Sequence, residues 1–244
     1  MPAPHYAPCS TALTDVLVLR PQPGADRTYA GAVAMGLDAR VAPIFHVVPL
    51  PWQTPPASEY SAVVLTSAHA ARHAGPALGA YLALPCYTVG DSSAEAARAA
   101  GFDHVRAGPG DVVALAAMMR EEGVGRALHL CGRDHLALDL DGVDRRVVYA
   151  AEALPFLLPD ALQALRDGAI ALLHSPRAAR HFAALVDGAG IDRDQLSIAA
   201  ISEAAASAAG PGWARVAIAA VPRDQPLLEL AAKLCKEGGS REQR

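Results

Sequence analysis

The chain has 244 residues, 52% of them hydrophobic, enough for one large domain or two small ones with a real core. Formal net charge is -4, so no global basic field draws the protein to nucleic acid, and an anionic ligand has to be held by local groups. The four cysteines, Cys9, Cys86, Cys131 and Cys235, lie far apart without a CxxC pair. That argues against a clustered zinc site or a secreted disulfide scaffold and for free thiols in a reducing cytoplasm.

No apolar run reaches the roughly 18 residues needed to span a bilayer, and the stretch before Asp15 lacks a basic start followed by an apolar segment. The expectation is a cytoplasmic protein that binds neither membrane nor nucleic acid. Residues 1 to about 13 and the tail from Lys236 are expected to be poorly ordered.

In chain order, short apolar runs alternate with alanine-rich helical segments. The runs are "DVLVLRP" from Asp15, "SAVVLTS" from Ser61, "PCYTVGD" from Pro85, "RALHLCGRD" from Arg126, "AIALLHS" from Ala169, "LSIAAIS" from Leu196 and "ARVAIAAVP" from Ala214. Continuous rather than alternating apolar strands, each followed by a helix, indicate an α/β fold with helices on both faces of a parallel sheet.

The same junction is written twice. "VVLTSAHAARH" (Val63 to His73) reappears as "ALLHSPRAARH" (Ala171 to His181), with Ser67 matching Ser175 and His73 matching His181 at one offset. "YTVGDSSAEAARAAG" pairs with "IAAISEAAASAAG", and "GDVVALAAMM" with "RDQPLLELAAKL", in the same order. The first copy has a fourth unit, "ALHLCGRDH", whose natural counterpart is the N-terminal "VLVLRPQPGADRTYAGAVAMG". This predicts two similar domains, one of residues 1–40 plus 155–244 and one inserted at 45–148. Two β-prone crossing segments, near 40–50 and 145–154, would pair as a short ladder and act as a hinge.

Ligands of open α/β sheets bind beyond the carboxyl ends of the strands, where the polar motifs fall. Thr66 and Ser67 end one strand and begin a helix; Ser175 is a good N-cap, with Pro176 at the favoured first helical position. Free N–H groups there suit carboxylate or phosphate, although the same caps serve ordinary helices. In "VGDSSAEAA", Gly90 would allow close approach, and Ser92 with Glu95 resembles a capping box. Arg20 and Arg133 end their strands at matching places, either reaching an anion or lying solvated on the surface. His69 and His73 have the i, i+4 spacing of metal ligands but no third partner, so a surface pair is the plainer reading. A GxGxxG fingerprint, a P-loop, a GxSxG elbow and an HExxH motif are all missing. Tyr149 stands in the second crossing segment, where the expectation is a phenol facing the space between the domains.

Taken together, these residues resemble the uroporphyrinogen-III synthase family, the cofactor-free lyases that close the linear tetrapyrrole hydroxymethylbilane. The resemblance rests on the ordered set "VLVLRP", "VVLTSAHAARH", "TVGDSSAEAARAAGF", "LHLCG", the tyrosine of "VVYAAEAL", "LLHSPRAARHF", "AISEAAASAAG" and "PLLELAAKL", from about Asp15 to Leu234. It implies two α/β domains joined by a two-stranded ladder, with substrate in the cleft between them. Its carboxylates would be met at strand ends by Thr66, Ser67, Ser93, Ser175 and Ser202, with Arg20, Gly90, Gly132, Arg133 and Pro176 alongside.

The resemblance also implies Tyr149 as the acid that helps the ring A hydroxyl depart, no metal or redox cofactor, and a place in heme biosynthesis; a monomer is expected because two domains already enclose one cleft. The chain departs from the family at Ser202 to Ala205, where relatives commonly have Gly-x-x-Thr, and in "CGRDH", which is less glycine- and glutamate-like than expected. The alternative is a non-catalytic two-domain binder of small anions, which would use the same cleft; the missing leader sequence speaks against it. A nucleotide-dependent enzyme is disfavoured by the missing glycine fingerprint.

Overall fold

The structure, a computed structural model, describes residues 15–135 and 137–239. Expectations for the residues before Asp15, Cys9 among them, fall outside that range. Lys236, expected in a loose tail, continues the last helix instead.

In chain order the elements begin with β1 (Val16–Val18), α1 (Gly24–Ala34), β2 (Ala39–Val41), β3 (Phe45–Pro49), β4 (Ala62–Leu65), α2 (Ala68–His73), β5 (Cys86–Thr88), α3 (Asp91–Ala99), β6 (Val105–Ala107) and α4 (Val112–Glu121). They continue with β7 (Ala127–Gly132), β8 (Val143–Ala153), α5 (Pro159–Arg166), β9 (Ile170–Leu173), α6 (Pro176–Gly188), β10 (Ser197–Ala200), α7 (Glu203–Ala209), β11 (Arg215–Ile218) and α8 (Asp224–Gly239). The chain divides into two compact units: one takes both ends of the chain, up to His46 and from Ala153, and the other is Val47–Glu152.

The first unit carries a parallel sheet in the order β11-β10-β9-β1-β2. Val16, Val18, Ile170 and Leu172 pack with Leu227 and Leu228 of α8, and all six are buried. Helix α6 begins as its sequence dictates, with the Ser175 side chain accepting from the Ala178 N–H at 3.1 Å and Pro176 in the first turn. Its inner face buries Ala178, Ala179, Phe182 and Val186, and Phe182 stacks on Trp213 with ring centroids 5.7 Å apart.

The second unit's sheet runs β3-β8-β7-β4-β5-β6. Leaving β3 aside, the order β8-β7-β4-β5-β6 reproduces β2-β1-β9-β10-β11, so β7 corresponds to β1 and β4 to β9. Side chains alternate between the two faces. Val63, Leu65, Leu128 and Leu130 meet α2 and α3 on one face, while Ala62, Val64 and Ala127 meet Leu115 and Met119 of α4 on the other. By that alternation His129 of β7 lies on the α4 face, inside an otherwise apolar strand.

The segment 40–50 is not one crossing piece: β2 closes the outer edge of the first sheet, and β3 starts again after Pro43 at the edge of the second. The second crossing segment is a single long strand, β8, which pairs with β3 as expected of the two segments and is also hydrogen-bonded to β7, so the pair forms part of the larger sheet. Leu50 N–H donates to Val148 O and Leu154 N–H to Ile44 O, which makes β3 and β8 antiparallel. β8 is apolar enough to be buried at Val148, Tyr149 and Ala150, as a strand inside a sheet has to be.

Candidate active site

Within the second unit, the ends of β4 and β7 and the middle of β8 surround a cavity of about 200 Å³ lined by Thr66, Ser67, Val112, Gly132, Asp134, His135 and Tyr149. Four residues expected from the sequence, Thr66, Ser67, Gly132 and Tyr149, are therefore brought together.

The register of β8 against β7 puts the phenol there. Cys131 pairs with Val147 and Gly132 with Tyr149, so Val148 is an extra residue, a bulge that re-aims the strand. Arg133 N–H donates to the Tyr149 carbonyl at 2.9 Å and holds the shifted register. Gly132 has to be glycine because the tyrosine ring lies across it: a Cβ there would come within 2.6 Å of Cζ and 2.8 Å of both Cε2 and the hydroxyl oxygen.

Tyr149 is only 9% exposed. Burial pushes its pKa up; the neighbouring Ser67 hydroxyl acts the other way, and the charges of Cys131 and Asp134 add to the rise. The phenol thus keeps its proton at neutral pH. His69 and His73 pack on its ring, with centroids at 5.4 and 6.2 Å, and stack on each other at 5.9 Å. The histidine pair read as a surface feature is instead half-buried against the phenol, because α2 turns that face toward the sheet. His73 has its pKa lowered by burial and by Arg72.

Thr66 and Ser67 follow directly on β4. Ser67 caps α2, its oxygen accepting from the His69 N–H at 3.2 Å. Thr66 Oγ1 lies 3.0 Å from Nε2 of His129, a residue that sequence reasoning did not select. His129 is fully buried, and burial lowers its pKa to about 4, with the charges of His135 and Arg145 acting the same way, so the ring is neutral. Its Nδ1 has no hydrogen-bond partner among the described residues. A stranded lone pair costs less than a stranded N–H, which places the proton on Nε2, donating to Thr66. The threonine hydroxyl then keeps its own proton for a ligand. A lone histidine in the strand "ALHLCG" was the available signal.

Other expected residues lie elsewhere on the strand ends. Arg133 is largely exposed, its guanidinium 3.8 Å from Glu152. Gly90 is the N-cap of α3, with an extended backbone and Gly110 Cα at an ordinary 3.6 Å from where a Cβ would stand. The helix starts at Asp91 with no side-chain cap, so Ser92 and Glu95 form no capping box. The reason is that Gly90 already supplies the extended residue, which leaves Ser92 inside the first turn and Ser93 buried.

In the first unit, Arg20 is engaged: its Nη1 donates to both oxygens of Asp224 at 2.9 and 3.2 Å. Asp224 also accepts from the Thr28 hydroxyl at 3.0 Å and lies 3.3 Å from His174 Nε2. Ser202 caps α7, accepting from the Ala205 N–H at 3.3 Å. A larger cavity of about 450 Å³ beside β5 and β6, lined by Pro85, Tyr87, Asp103, His104, Val105 and Arg106, contains none of the expected residues. Among the described residues no group of three or more His, Cys, Asp or Glu is placed to hold a metal ion, no helix is long and apolar enough to cross a membrane, and Cys86, Cys131 and Cys235 are free thiols.

The model of the family described as uroporphyrinogen-III synthase HemD matches residues 27–229. Among solved structures, a uroporphyrinogen-III synthetase from Helicobacter pylori shares the fold at a TM-score of 0.61 and 18% identity, over 80% of this chain and 93% of that one. A uroporphyrinogen III synthase from Thermus thermophilus aligns at a TM-score of 0.40 and 18% identity, over 92% of this chain and 98% of that one. No curated protein matches the chain. The chain belongs to the uroporphyrinogen-III synthase family, and its reaction is the closure of hydroxymethylbilane to uroporphyrinogen III, with inversion of ring D through a spiro intermediate and loss of water, a lyase step of tetrapyrrole biosynthesis.

Proposed function

We propose that the cavity around Tyr149 is where the ring A hydroxyl departs. The observation that carries this reading is a buried, protonated phenol opening on the same cavity as the Thr66 and Ser67 hydroxyls. Tyr149 gives its proton to the departing hydroxide, so that water leaves, and the bilane's own nitrogens stabilise the resulting cation. The Ser67 hydroxyl, which lines the same cavity, steadies the phenolate left behind. Asp134 also lines the cavity, and its negative charge favours the cation that develops there.

Folding the two ends of the bilane together is the larger part of the task, because orientation alone supplies much of the barrier reduction in such a closure. We assign that part to the strand-end residues of both units. Ser175 and Ser202 use their oxygens to cap helices, which leaves their hydroxyl protons for substrate carboxylates. Arg20, held by Asp224, is a fixed rather than searching cation. Ser93, Gly90, Gly132, Arg133 and Pro176 complete the proposed binding set. The domain division into 1–40 with 155–244 and 45–148 is kept as the functional one, with β3 and β8 serving as its hinge.

The protein is further proposed to act as a monomer in the cytoplasm on this small molecule, with no nucleic acid or membrane. The acidic balance of charge and the lack, among the described residues, of a helix able to cross a bilayer support that reading.

The test is Tyr149→Phe assayed with fresh hydroxymethylbilane. General acid catalysis of this kind contributes about 10²-fold or more, so kcat should fall by that order with KM little changed. Undiminished turnover would remove Tyr149 as the acid.

A further inference from the structure

The closure takes up one proton to release water and must give one back. When ring D recloses, its free α-carbon bonds to the cationic methylene carbon on ring C, the electron pair coming from the pyrrole. That carbon still bears hydrogen, and only its loss returns the C–H electrons to the ring and restores aromaticity. Tyr149 accounts for the first transfer; the second needs a base within reach of the ring D α-carbon, at the other end of the closing bond.

His135 lies in the loop after β7 and lines the same cavity as Thr66, Ser67 and Tyr149. Its Nδ1 is 2.8 Å from the Gly132 carbonyl oxygen. A carbonyl only accepts, so Nδ1 carries the N–H, and in the neutral ring Nε2 holds a lone pair. The ring stands edge-on to His129, with centroids 6.0 Å apart and planes at 88°. Gly132 is also the residue across which the Tyr149 ring lies, so one short piece of backbone anchors both the phenol and this imidazole.

We infer that His135 is the base of the final step, its Nε2 taking the proton from the ring D α-carbon as aromaticity returns. The inference rests on reading this cavity as the active site. The imidazolium then passes its proton to the Tyr149 phenolate, directly or through solvent, so that one turnover releases one water and leaves the protein unchanged.

The experiment uses the full chain with His135→Ala and His135→Gln, hydroxymethylbilane, and the same substrate carrying deuterium at the free α-carbon of ring D. Glutamine can still donate to the Gly132 carbonyl but takes no proton, and thermal unfolding checks that both variants fold. The expectation is a fall in kcat of about 100-fold in both at nearly constant KM. A deuterium effect should exceed that of the parent enzyme, and imidazole added to His135→Ala should restore activity.

Turnover within twofold of the parent overturns the inference, as does a loss that imidazole leaves untouched and deuterium does not deepen. If Tyr149→Phe is slow while His135→Ala is fast, the base alone is wrong. If neither variant is slowed, the cavity is not the site and both readings fall.

Discussion

Replacing Gly132 by alanine tests the active-site geometry through a residue whose own side chain has no chemistry. The added methyl would sit 2.6 Å from Cζ of Tyr149 and 2.8 Å from its hydroxyl oxygen, against about 3.5–4.0 Å for an ordinary carbon contact. The gap of about 1 Å is made up by swinging the tip of the phenol, since the backbone there is fixed by the Arg133 hydrogen bond to the Tyr149 carbonyl. Such a swing carries the hydroxyl out of its place in the cavity beside Ser67. Misplacing a reacting group by about 1 Å costs on the order of 10²-fold in rate, whereas overpacking of this kind costs about 1–3 kcal/mol of stability.

The assay is the initial rate of hydroxymethylbilane consumption, with the uroporphyrinogen isomers separated and thermal unfolding recorded in parallel. A folded Gly132→Ala protein should turn over on the order of 100-fold more slowly and let more type I isomer form spontaneously. A Gly132→Ala protein with the parent's rate would refute the placement of the phenol as the acid, because the ring cannot stay where it is with a methyl beneath it.

Thr66→Val keeps the shape of the side chain but removes the partner of the buried His129 Nε2. It should cost about 1–3 kcal/mol in chemical denaturation and lower kcat/KM by about tenfold through the lost hydroxyl; an unchanged protein on both counts would contradict the assignment. His129 titrates near 4 when folded and near 6.5 when unfolded. Between these values the unfolded chain binds the extra proton, so stability falls as pH drops from about 6.5 toward 4, by at most about 3 kcal/mol. His129→Gln should flatten that part of the stability profile, and a slope that survives the substitution has another origin. Phe182→Ala, in the first unit and outside the proposed cavity, removes a fully buried ring stacked on Trp213 and should cost about 3–5 kcal/mol, read from the denaturant midpoint.

The strands most readable in the sequence are those buried on both faces. Val16–Val18, Ala62–Leu65 and Ile170–Leu173 are continuous apolar runs, and each is buried throughout. The strand missed is an edge piece whose composition says little: β6 reads Val-Arg-Ala at a sheet margin, whereas β2, Ala-Arg-Val, was visible only as part of the β-prone stretch near 40–50. The repeat pointed to two similar units, because strand-to-helix junctions are local and recur in the chain, but the order of strands within each sheet was not in it.

Less of the site was legible. Ser67, Ser175 and Ser202 announce themselves because capping is a local interaction, settled within three residues. The contact of Tyr149 with Gly132 depends on the register of two strands and on one extra residue, Val148, and no local pattern encodes that. His129 and His135 fall in the same gap: each matters through a partner remote in sequence or through a backbone carbonyl, and a sequence shows neither. Arg20 was visible as a cation at a strand end, but its carboxylate partner, Asp224, lies near the other end of the chain.

The most direct test of the account is the product itself. Purified protein given freshly prepared hydroxymethylbilane, with no metal or cofactor added, should yield the type III uroporphyrinogen isomer, and Tyr149→Phe should yield it far more slowly. Formation of only the type I isomer at the spontaneous rate by the parent protein would contradict the account.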